Sequence, residues 1–595
     1  MMHVIATAGH VDHGKSALVR ALTGIEPDRW TEEHQRGMTI DLGYAWTRLP
    51  SGADLAIVDV PGHERFVSNM LAGLGPLRAV LFVVAADEGW RQQSAEHLAA
   101  ADALGIEHGL LVITRTDLAD PRPALREARD ALARTSLRDV PAVAVSALTG
   151  EGMSELRSRL DDLVGSLPPS DVEGPARLWV DRSFTIHGSG TVVTGTLSQG
   201  TVAVGDELLL NGRRVRVRGV QSLGKPRTRV KAVARVGLNL RNLAAGAVGR
   251  GDALVTPGGW RSISVLDVRM SADPRESARE VMVHVGTAGI SARVRPLGDD
   301  TARLTLRTPL PLTAGDRGIV RNPGAHDSVQ GFVVLDIDPP ALTRRGAAAK
   351  WAQALAQAPH RPDLQREVSR RGALHMADAR ELGVLRSGHE EPLPDGVIAY
   401  GDWLVSPEAL AQWRQDLVKA LAERAETEPL DPTLSVGAGR AAIHLPDPAL
   451  MPLVLAGVDV EVIDGRLQAP GVVPSLGPAE HALRALEQRL AASPFAAPER
   501  GDLTNAGLGS REIAAAIRLG RVIRVGQAGR DDVVLLPLAP AQAMRVLAAL
   551  PQPFTTSEAR QALGTTRRVA LPLLEHLDAR GWTRRIDAGH RVVVR

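Results

Sequence analysis

Gly9-His-Val-Asp-His-Gly-Lys-Ser16 constrains this chain more than any other feature, because a glycine-spaced loop ending in Lys-Ser works only between a strand and a helix. An apolar run at 3–8 precedes it and a helical pattern at 15–22 follows. In that setting the backbone N–H groups of Gly9, His10, Val11, Asp12, His13 and Gly14 wrap a phosphate chain. Lys15 places a point charge between β- and γ-phosphate, and the Ser16 hydroxyl ligates Mg²⁺. The protein has only five lysines, and one stands where a bulkier, planar arginine does not substitute. An accidental glycine-rich turn is the competing reading, and the flanking strand and helix argue against it.

Further along, Asp59-Val-Pro-Gly-His63 follows the apolar run 55–60. Asp59 at a strand end is placed to hold a Mg²⁺-bound water, the Gly62 N–H to face the γ-phosphate, and His63 to orient an attacking water. Upstream, Arg36-Gly-Met-Thr-Ile40 offers Thr39 as a second Mg²⁺ ligand on a loop whose order depends on the γ-phosphate. Base choice falls to Thr114-Arg-Thr-Asp117: the Asp117 carboxylate accepts from guanine N1–H and N2–H₂, a donor pair that adenine lacks. Ser146-Ala147 backs the O6 side. Thr114 and Arg115 stand where the usual motif has Asn and Lys, and ATP is the minor alternative to GTP/GDP.

At 595 residues the chain is too long for one core, and four or more domains are expected. Strand-like runs at 3–8, 55–60, 80–86, 109–114 and 142–145 alternate with helical patterns at 15–22, 92–104 and 123–134. That alternation predicts an α/β P-loop GTPase domain over 1–168 with a mostly parallel sheet. The period then drops to two, predicting β-barrels at 174–258 and 259–340. Beyond Pro339-Pro340, hairpin-like stretches at 397–404, 458–468, 522–535 and 582–594 recur about every 60 residues. They predict a C-terminal array of α+β winged-helix modules at 341–428, 429–475, 476–540 and 541–595, a single irregular helical domain being the alternative.

Net charge is only +2, yet the stretch 208–251 holds eleven Lys or Arg and no acid, and 541–595 holds nine Arg against four acids. Two local basic zones point to two polyanion contacts. Absence of cysteine excludes disulfides and thiolate zinc sites and fits a reducing compartment. With no basic leader and no apolar stretch of about 18 residues, a cytoplasmic protein without a membrane contact is expected. No oligomerisation signal stands out, so a monomer is expected.

The wording GHVDHGKS, RGMTI and DVPGH closely resembles translational GTPases of the elongation factor Tu type. That resemblance implies that His63 directs the hydrolytic water once the ribosomal sarcin–ricin loop engages it, with Val11 and Met38 flanking it as a hydrophobic gate. Ala85-Ala-Asp-Glu-Gly89 leading to Gln93 and Glu96-His-Leu98, with Val180-Asp-Arg-Ser-Phe184 and Gly190-Thr-Val-Val-Thr-Gly-Thr196, narrows it to the selenocysteine-specific, SelB-type elongation factors. So does the extension after residue 340. The implied partners are selenocysteyl-tRNA, an mRNA hairpin beside a recoded UGA codon, and the ribosome.

A selenol is largely anionic at neutral pH whereas serine is neutral, so rejecting seryl-tRNA calls for fixed positive charge in a small, partly dry pocket. By resemblance, Asp181, Arg182 and Arg235 form that aminoacyl pocket; from the residues alone an Asp-Arg pair on a strand is more often a surface ion pair. In the last module, Thr555-Thr-Ser-Glu558 reads as a capping box, and a second helix starts at Thr566 or Val569 with Pro572 in its first turn or kinking it. Arg567 and Arg568 at the entry of that helix, and Arg584 and Arg585 on the wing, are candidates to clamp the mRNA hairpin. Two other readings are a GTPase subunit of sulfate activation and a GTP-controlled winged-helix regulator of duplex DNA.

Overall fold

The computed structural model describes residues 2–27, 39, 41–63, 66–186, 190–241, 243–244, 246–322, 329–359, 362–385, 392–472, 475–526 and 532–594. Arg36, Met38 and Ile40 therefore lie outside the described residues. The chain divides into two compact units, Met1–Leu404 and Val405–Arg595. Among the described residues no helix is long and apolar enough to cross a membrane.

The first unit begins with a six-stranded sheet: β1 (Met2–Ala8), β2 (Gly43–Arg48), β3 (Asp54–Asp59), β4 (Ala79–Ala85), β5 (His108–Thr114) and β6 (Ala142–Ala144), in the order β2-β3-β1-β4-β5-β6. All pairings are parallel except β2 with β3. Every residue of β4 is buried, as expected for a central strand covered by helices on both faces. On helix Met153–Ser166 the residues Leu156, Leu160, Leu163 and Val164 face the sheet at helical spacing. Strand β2 and helices Val67–Leu74 and Met153–Ser166 were not read from the sequence.

Two barrels follow. In the first, strand Glu207–Leu210 pairs with both Ala253–Val255 and Arg213–Ser222 and so closes the sheet on itself. Along Arg213–Ser222, Val215, Val217 and Val220 point inward while Arg213, Arg214, Arg216 and Arg218 stay exposed, so the period of two sorts charge outward. The second barrel closes in the order Ser262–Met270, Thr301–Pro311, Ala288–Pro296, Glu280–Val285, Arg317–Arg321 and Val329–Asp336. Helix Ala347–Ala356 docks on it through buried charge. Arg303 grips Asp267 at 2.7 and 2.9 Å, and Trp351 Nε1–H donates to the same carboxylate at 2.6 Å. Arg269 donates to the carbonyls of Leu355, Ala356 and Ala358, groups left over where this helix ends.

Helix Leu364–Arg371, strand Ala373–His375 and helix Met376–Glu381 follow in turn, and that strand forms a sheet with Trp403–Val405 and Ile398–Tyr400. In the second unit the hairpins are Glu461–Ile463 with Arg466–Gln468, Ile523–Val525 with Val533–Leu535, and Thr583–Arg585 with His590–Val593. All four hairpins thus lie inside the stretches read from the sequence, except that the first runs one residue further, to Val405. Helix Pro407–Thr427 begins at Ser406, whose hydroxyl accepts from Ala409 N–H, and buries Leu410, Trp413, Leu417 and Leu421. Leu417 packs near Gly439 alongside Leu467, so this helix belongs with the hairpin that follows it rather than with the one before. The last two helix–hairpin groups share one core running from Leu476 to Leu577 and including Phe554.

The capping box at Thr555 and Glu558 is present. The next helix is Arg567–Ala579, capped at Thr566, and Pro572 is its sixth residue. Of the two starts read from the sequence the structure takes Thr566, so Pro572 lies inside the helix rather than in its first turn and is itself buried.

Because the Asp267–Arg303 pair is buried, breaking it costs more than replacing it. Arg303→Ala is expected to destabilise the second barrel by about 3–5 kcal/mol, and Asp267→Leu with Arg303→Met by much less. Hydrogen exchange of strands Ser262–Met270 and Thr301–Pro311 measures both; equal losses would refute the ion-pair account.

Candidate functional site

The loop between β1 and helix Lys15–Thr23 is shaped by backbone that side chains rarely adopt. Gly9 has φ of 136° and a Cβ there would strike the Val83 carbonyl; Gly14 has φ of 79°; Asp12 takes φ of 62°. Lys15 is buried, and its ammonium donates to the carbonyls of Gly9 and His10 at 3.1 and 2.7 Å. The loop is braced from three sides. Thr114 Oγ1 donates to the His13 carbonyl at 2.7 Å. Arg115 donates to the Asp12 carbonyl and to Asp87 and Glu88 at 3.0 and 2.9 Å. From helix Gln92–Ala103, Gln93 Oε1 accepts from Val11 N–H at 3.2 Å and His97 Nδ1 accepts from Gly9 N–H at 3.0 Å.

Burial drives the His97 pKa down to about 3, with the Lys15 charge adding to the shift, so the ring is neutral at physiological pH and its Nδ1 is free to accept. His13 is likewise pushed down to about 3 by burial, with His10 reinforcing it. The threonine and arginine at 114 and 115 therefore perform the bracing that Asn and Lys would supply at these positions.

Three oxygen donors meet beside the loop. Ser16 Oγ lies 2.6 Å from Asp59 Oδ2 and 3.0 Å from Thr39 Oγ1, and Thr7 Oγ1 donates to the other Asp59 oxygen at 2.6 Å. Burial raises the Asp59 pKa, while the Ser16 and Thr7 hydroxyls and the Lys15 charge oppose that rise. Hydroxyl and carboxylate oxygens suit a hard divalent cation that completes its shell with water and phosphate oxygens, so the residues fit Mg²⁺. Gly62 sits so close that a Cβ would lie 2.6 Å from Lys15 Nζ and from Val11 N. His63 follows, half-buried, its carbonyl accepting from Phe66 N–H at 2.9 Å. At the far end of the sheet Asp117 accepts from Ser146 Oγ at 2.5 Å, and the Ser146 carbonyl accepts from Gly150 N–H, which fixes the carboxylate beside the turn carrying Ala147.

The second cluster lies where the first barrel meets β2. Asp181 and Arg235 form a buried bidentate pair, their side chains 4% and 12% exposed. Burial opposes the Arg235 charge, yet the Asp181 carboxylate more than offsets it and raises the guanidinium pKa. Tyr44 lies beneath, with the Arg235 guanidinium 3.8 Å and that of Arg182 5.1 Å from its ring centroid. Arg182 also donates to the Leu42 carbonyl and pairs with Asp41 at 3.2 Å. Thr194 Oγ1 donates to Asp181 at 2.9 Å. The structure thus brings the three sequence-chosen residues together and adds Tyr44, Asp41 and Thr194. Nothing in the spacing of Asp41-Leu-Gly-Tyr44 signals that it faces another domain.

In the last helix–hairpin group Arg567, Arg568, Arg584 and Arg585 are all exposed. Of these, Arg568 donates to the Ala497 and Pro498 carbonyls at 2.6 and 3.1 Å, and Arg585 to those of Asp587 and Ala588 at 3.1 and 2.9 Å. The structure therefore does not gather all four on one face through free guanidinium groups.

A glycine-bent loop with its hydroxyl–carboxylate junction, on an α/β domain followed by two closed barrels, is the architecture of a translational GTPase. A family model described as the elongation factor Tu GTP binding domain matches residues 1–166, one for a selenocysteine-specific elongation factor β-barrel domain matches 265–341, and one for an elongation factor SelB winged helix matches 545–592. The chain is 31% identical to the selenocysteine-specific elongation factor of Escherichia coli (strain K12), covering 99% of this chain and 98% of the relative. Against that of Desulfomicrobium baculatum it is 32% identical over 98% of each. A crystal structure of a bacterial selenocysteine-specific elongation factor, EF-Sec, aligns over the whole of both chains with a TM-score of 0.74 at 25% identity. The chain belongs to the selenocysteine-specific elongation factors and is a GTP-hydrolysing factor of translation.

Thr114→Val keeps the side-chain shape but leaves the buried His13 carbonyl unpaired. Affinity for GDP and GTP is expected to fall about tenfold, read by titration of a fluorescent guanine nucleotide. Unchanged affinity would remove Thr114 from loop bracing.

Proposed function

We propose that this protein carries selenocysteyl-tRNA to the ribosome, docks on an mRNA hairpin beside a recoded UGA codon, and releases the tRNA on GTP hydrolysis in the cytoplasm. One observation carries the reading: two guanidinium groups, Arg182 and Arg235, sit together over the Tyr44 ring in a largely dry cleft, one of them fixed by Asp181. A cation held there without a full hydration shell attracts an ionised selenol more strongly than it does a neutral serine hydroxyl. Tyr44 supplies an aromatic wall, and burial pushes its own hydroxyl pKa up, with Arg235 opposing, so it adds no negative charge.

Hydrolysis is attack by a water oxygen on the γ-phosphorus with loss of the bond to the β–γ bridging oxygen, giving GDP and inorganic phosphate. Lys15 and the N–H groups of Gly9 to Gly14 bind the phosphates. Ser16, Thr39 and, through water, Asp59 would hold Mg²⁺, which would supply charge neutralisation at the phosphates. Gly62 positions the γ-phosphate, and His63 orients the water when the sarcin–ricin loop draws it in. Asp117, Ser146 and Ala147 select guanine. On the mRNA side Arg567, Arg568, Arg584 and Arg585 are the exposed hairpin contacts, Arg568 and Arg585 engaging when RNA displaces their backbone carbonyl partners. The whole-length likeness to selenocysteine factors favours RNA over duplex DNA, and the helix–hairpin array argues against a sulfate-activation subunit.

Reversing both cations, Arg182→Glu with Arg235→Glu, should erase the preference for selenocysteyl- over seryl-tRNA in the presence of GTP, measured by competitive binding. An unchanged ratio would sink the pocket. His63→Ala should leave GTP affinity intact and lower ribosome-stimulated turnover by at least a hundredfold, the upper reach of a single positioned proton-handling group being about 10⁴; normal turnover would take His63 out of the mechanism.

A further inference from the structure

Arg250, on the first barrel, reaches three elements with one side chain. Its Nη2 pairs with Asp41, its Nη1 donates to Asn69 Oδ1 at 2.6 Å, and its Nε donates to the Asp181 carbonyl at 3.1 Å. Each acceptor belongs to a different working part. Asp41 stands two residues beyond Thr39, whose hydroxyl is 3.0 Å from Ser16. Asn69 lies in helix Val67–Leu74, which follows Gly62 and His63 closely. Asp181 is the carboxylate that holds Arg235. The Asp41 carboxylate is shared: one oxygen faces Arg250 and the other faces Arg182.

Thr39 thus meets Ser16, and two residues further on Asp41 meets Arg182 and Arg250, with Arg250 fastening Asp41 to the Asp181 strand and to the helix that follows His63. A guanidinium is suited to this, since it is planar, always charged and offers donors in fixed, divergent directions; a lysine ammonium on a flexible stem does not reproduce that fork. The stretch next to Thr39 and the helix that follows His63 are thus tied by one residue to the backbone of the aminoacyl pocket.

We propose that Arg250 is a positioning residue that couples the bound nucleotide to the aminoacyl pocket, setting how strongly GTP and GDP differ in their effect on aminoacyl-tRNA affinity. The inference rests on the pocket reading of Arg182 and Arg235. When Asp41 and Asn69 are held as described, Arg182 is shared with Asp41 and the Asp181 strand is pinned. When the γ-phosphate contact is lost and these segments shift, Arg250 carries the shift to Asp181 and Asp41 releases Arg182. Coupling of this kind is reciprocal, so tRNA should favour GTP over GDP by the same factor.

The test uses the full-length protein and measures selenocysteyl-tRNA affinity with a non-hydrolysable GTP analogue and with GDP. Arg250→Ala is expected to reduce the ratio of the two affinities by about tenfold, within the usual range of such coupling. Affinity for the nucleotides in the absence of tRNA, and the preference for selenocysteyl- over seryl-tRNA in the GTP form, should both stay within about twofold of wild type on the same reasoning. Arg250→Lys should behave like Arg250→Ala, because charge without the fork does not bridge three acceptors. A wild-type ratio in Arg250→Ala would overturn the proposal, as would full recovery in Arg250→Lys. Loss of selenocysteine preference in Arg250→Ala would also overturn it, by making Arg250 part of the pocket itself. Failure of the pocket reading shows separately: Arg182→Glu with Arg235→Glu would keep its selectivity while the Arg250 variants still changed the nucleotide ratio.

Discussion

The Lys15 side chain lies almost wholly out of water, and the carbonyls of Gly9 and His10 in the sharply bent loop help to offset the cost of burying its charge. A loop in left-handed and glycine-only backbone does not hold that shape by itself. It is held by Thr114 beneath, Arg115 outside, and Gln93 and His97 from helix Gln92–Ala103. The neutrality of His97 matters here: a protonated ring would present two donors, and the Gly9 N–H would lose its acceptor. Strand β4 lies against the same loop through the Val83 carbonyl, which explains why the sheet centre is packed without a polar side chain.

From that loop, order passes outward through oxygen contacts. Ser16 meets Asp59 and Thr39, and Asp59 is itself tethered to β1 by Thr7. Two residues beyond Thr39 the chain crosses to the first barrel at Asp41, where two arginines wait, and three residues further Tyr44 lies under the guanidinium groups of Arg182 and Arg235. The phosphate site and the aminoacyl cleft are thus ends of one short stretch of backbone. Ion pairs on an open surface would make a weak link, but Asp181 and Arg235 are largely desolvated, where geometry is held more strictly and an unpaired partner is costly.

The same use of buried charge recurs at the other end of the first unit. Arg303, Asp267, Trp351 and Arg269 fix helix Ala347–Ala356 to the second barrel through contacts that saturate carboxylate oxygens and helix-end carbonyls. The second unit combines an apolar core with a largely buried pair, Arg591 donating to Asp578 at 2.8 Å. Leu483, Val522, Leu535, Leu547, Phe554 and Leu573 share a core, and arginines such as Arg568 stitch its edge by donating to backbone carbonyls.

Local chemistry was legible in the sequence wherever a residue type is demanded by its own backbone or ligand. Glycines at 9, 14 and 62, the lysine at 15, the capping box at Thr555 and Glu558, and the alternation of Val215 and Val217 with arginines all declare themselves within a few residues. The hairpins of the C-terminal array were readable for the same reason, since turn and alternation are short-range signals. What only the tertiary structure decided was which distant side chains share a space: Gln93 and His97 under the phosphate loop, Tyr44 and Asp41 against the barrel, Arg250 between three elements, and Arg568 and Arg585 turned to carbonyls. Each of these depends on how a domain or helix docks, and docking is set by complementary surfaces far apart in the chain, for which one sequence carries no periodic or spaced signature.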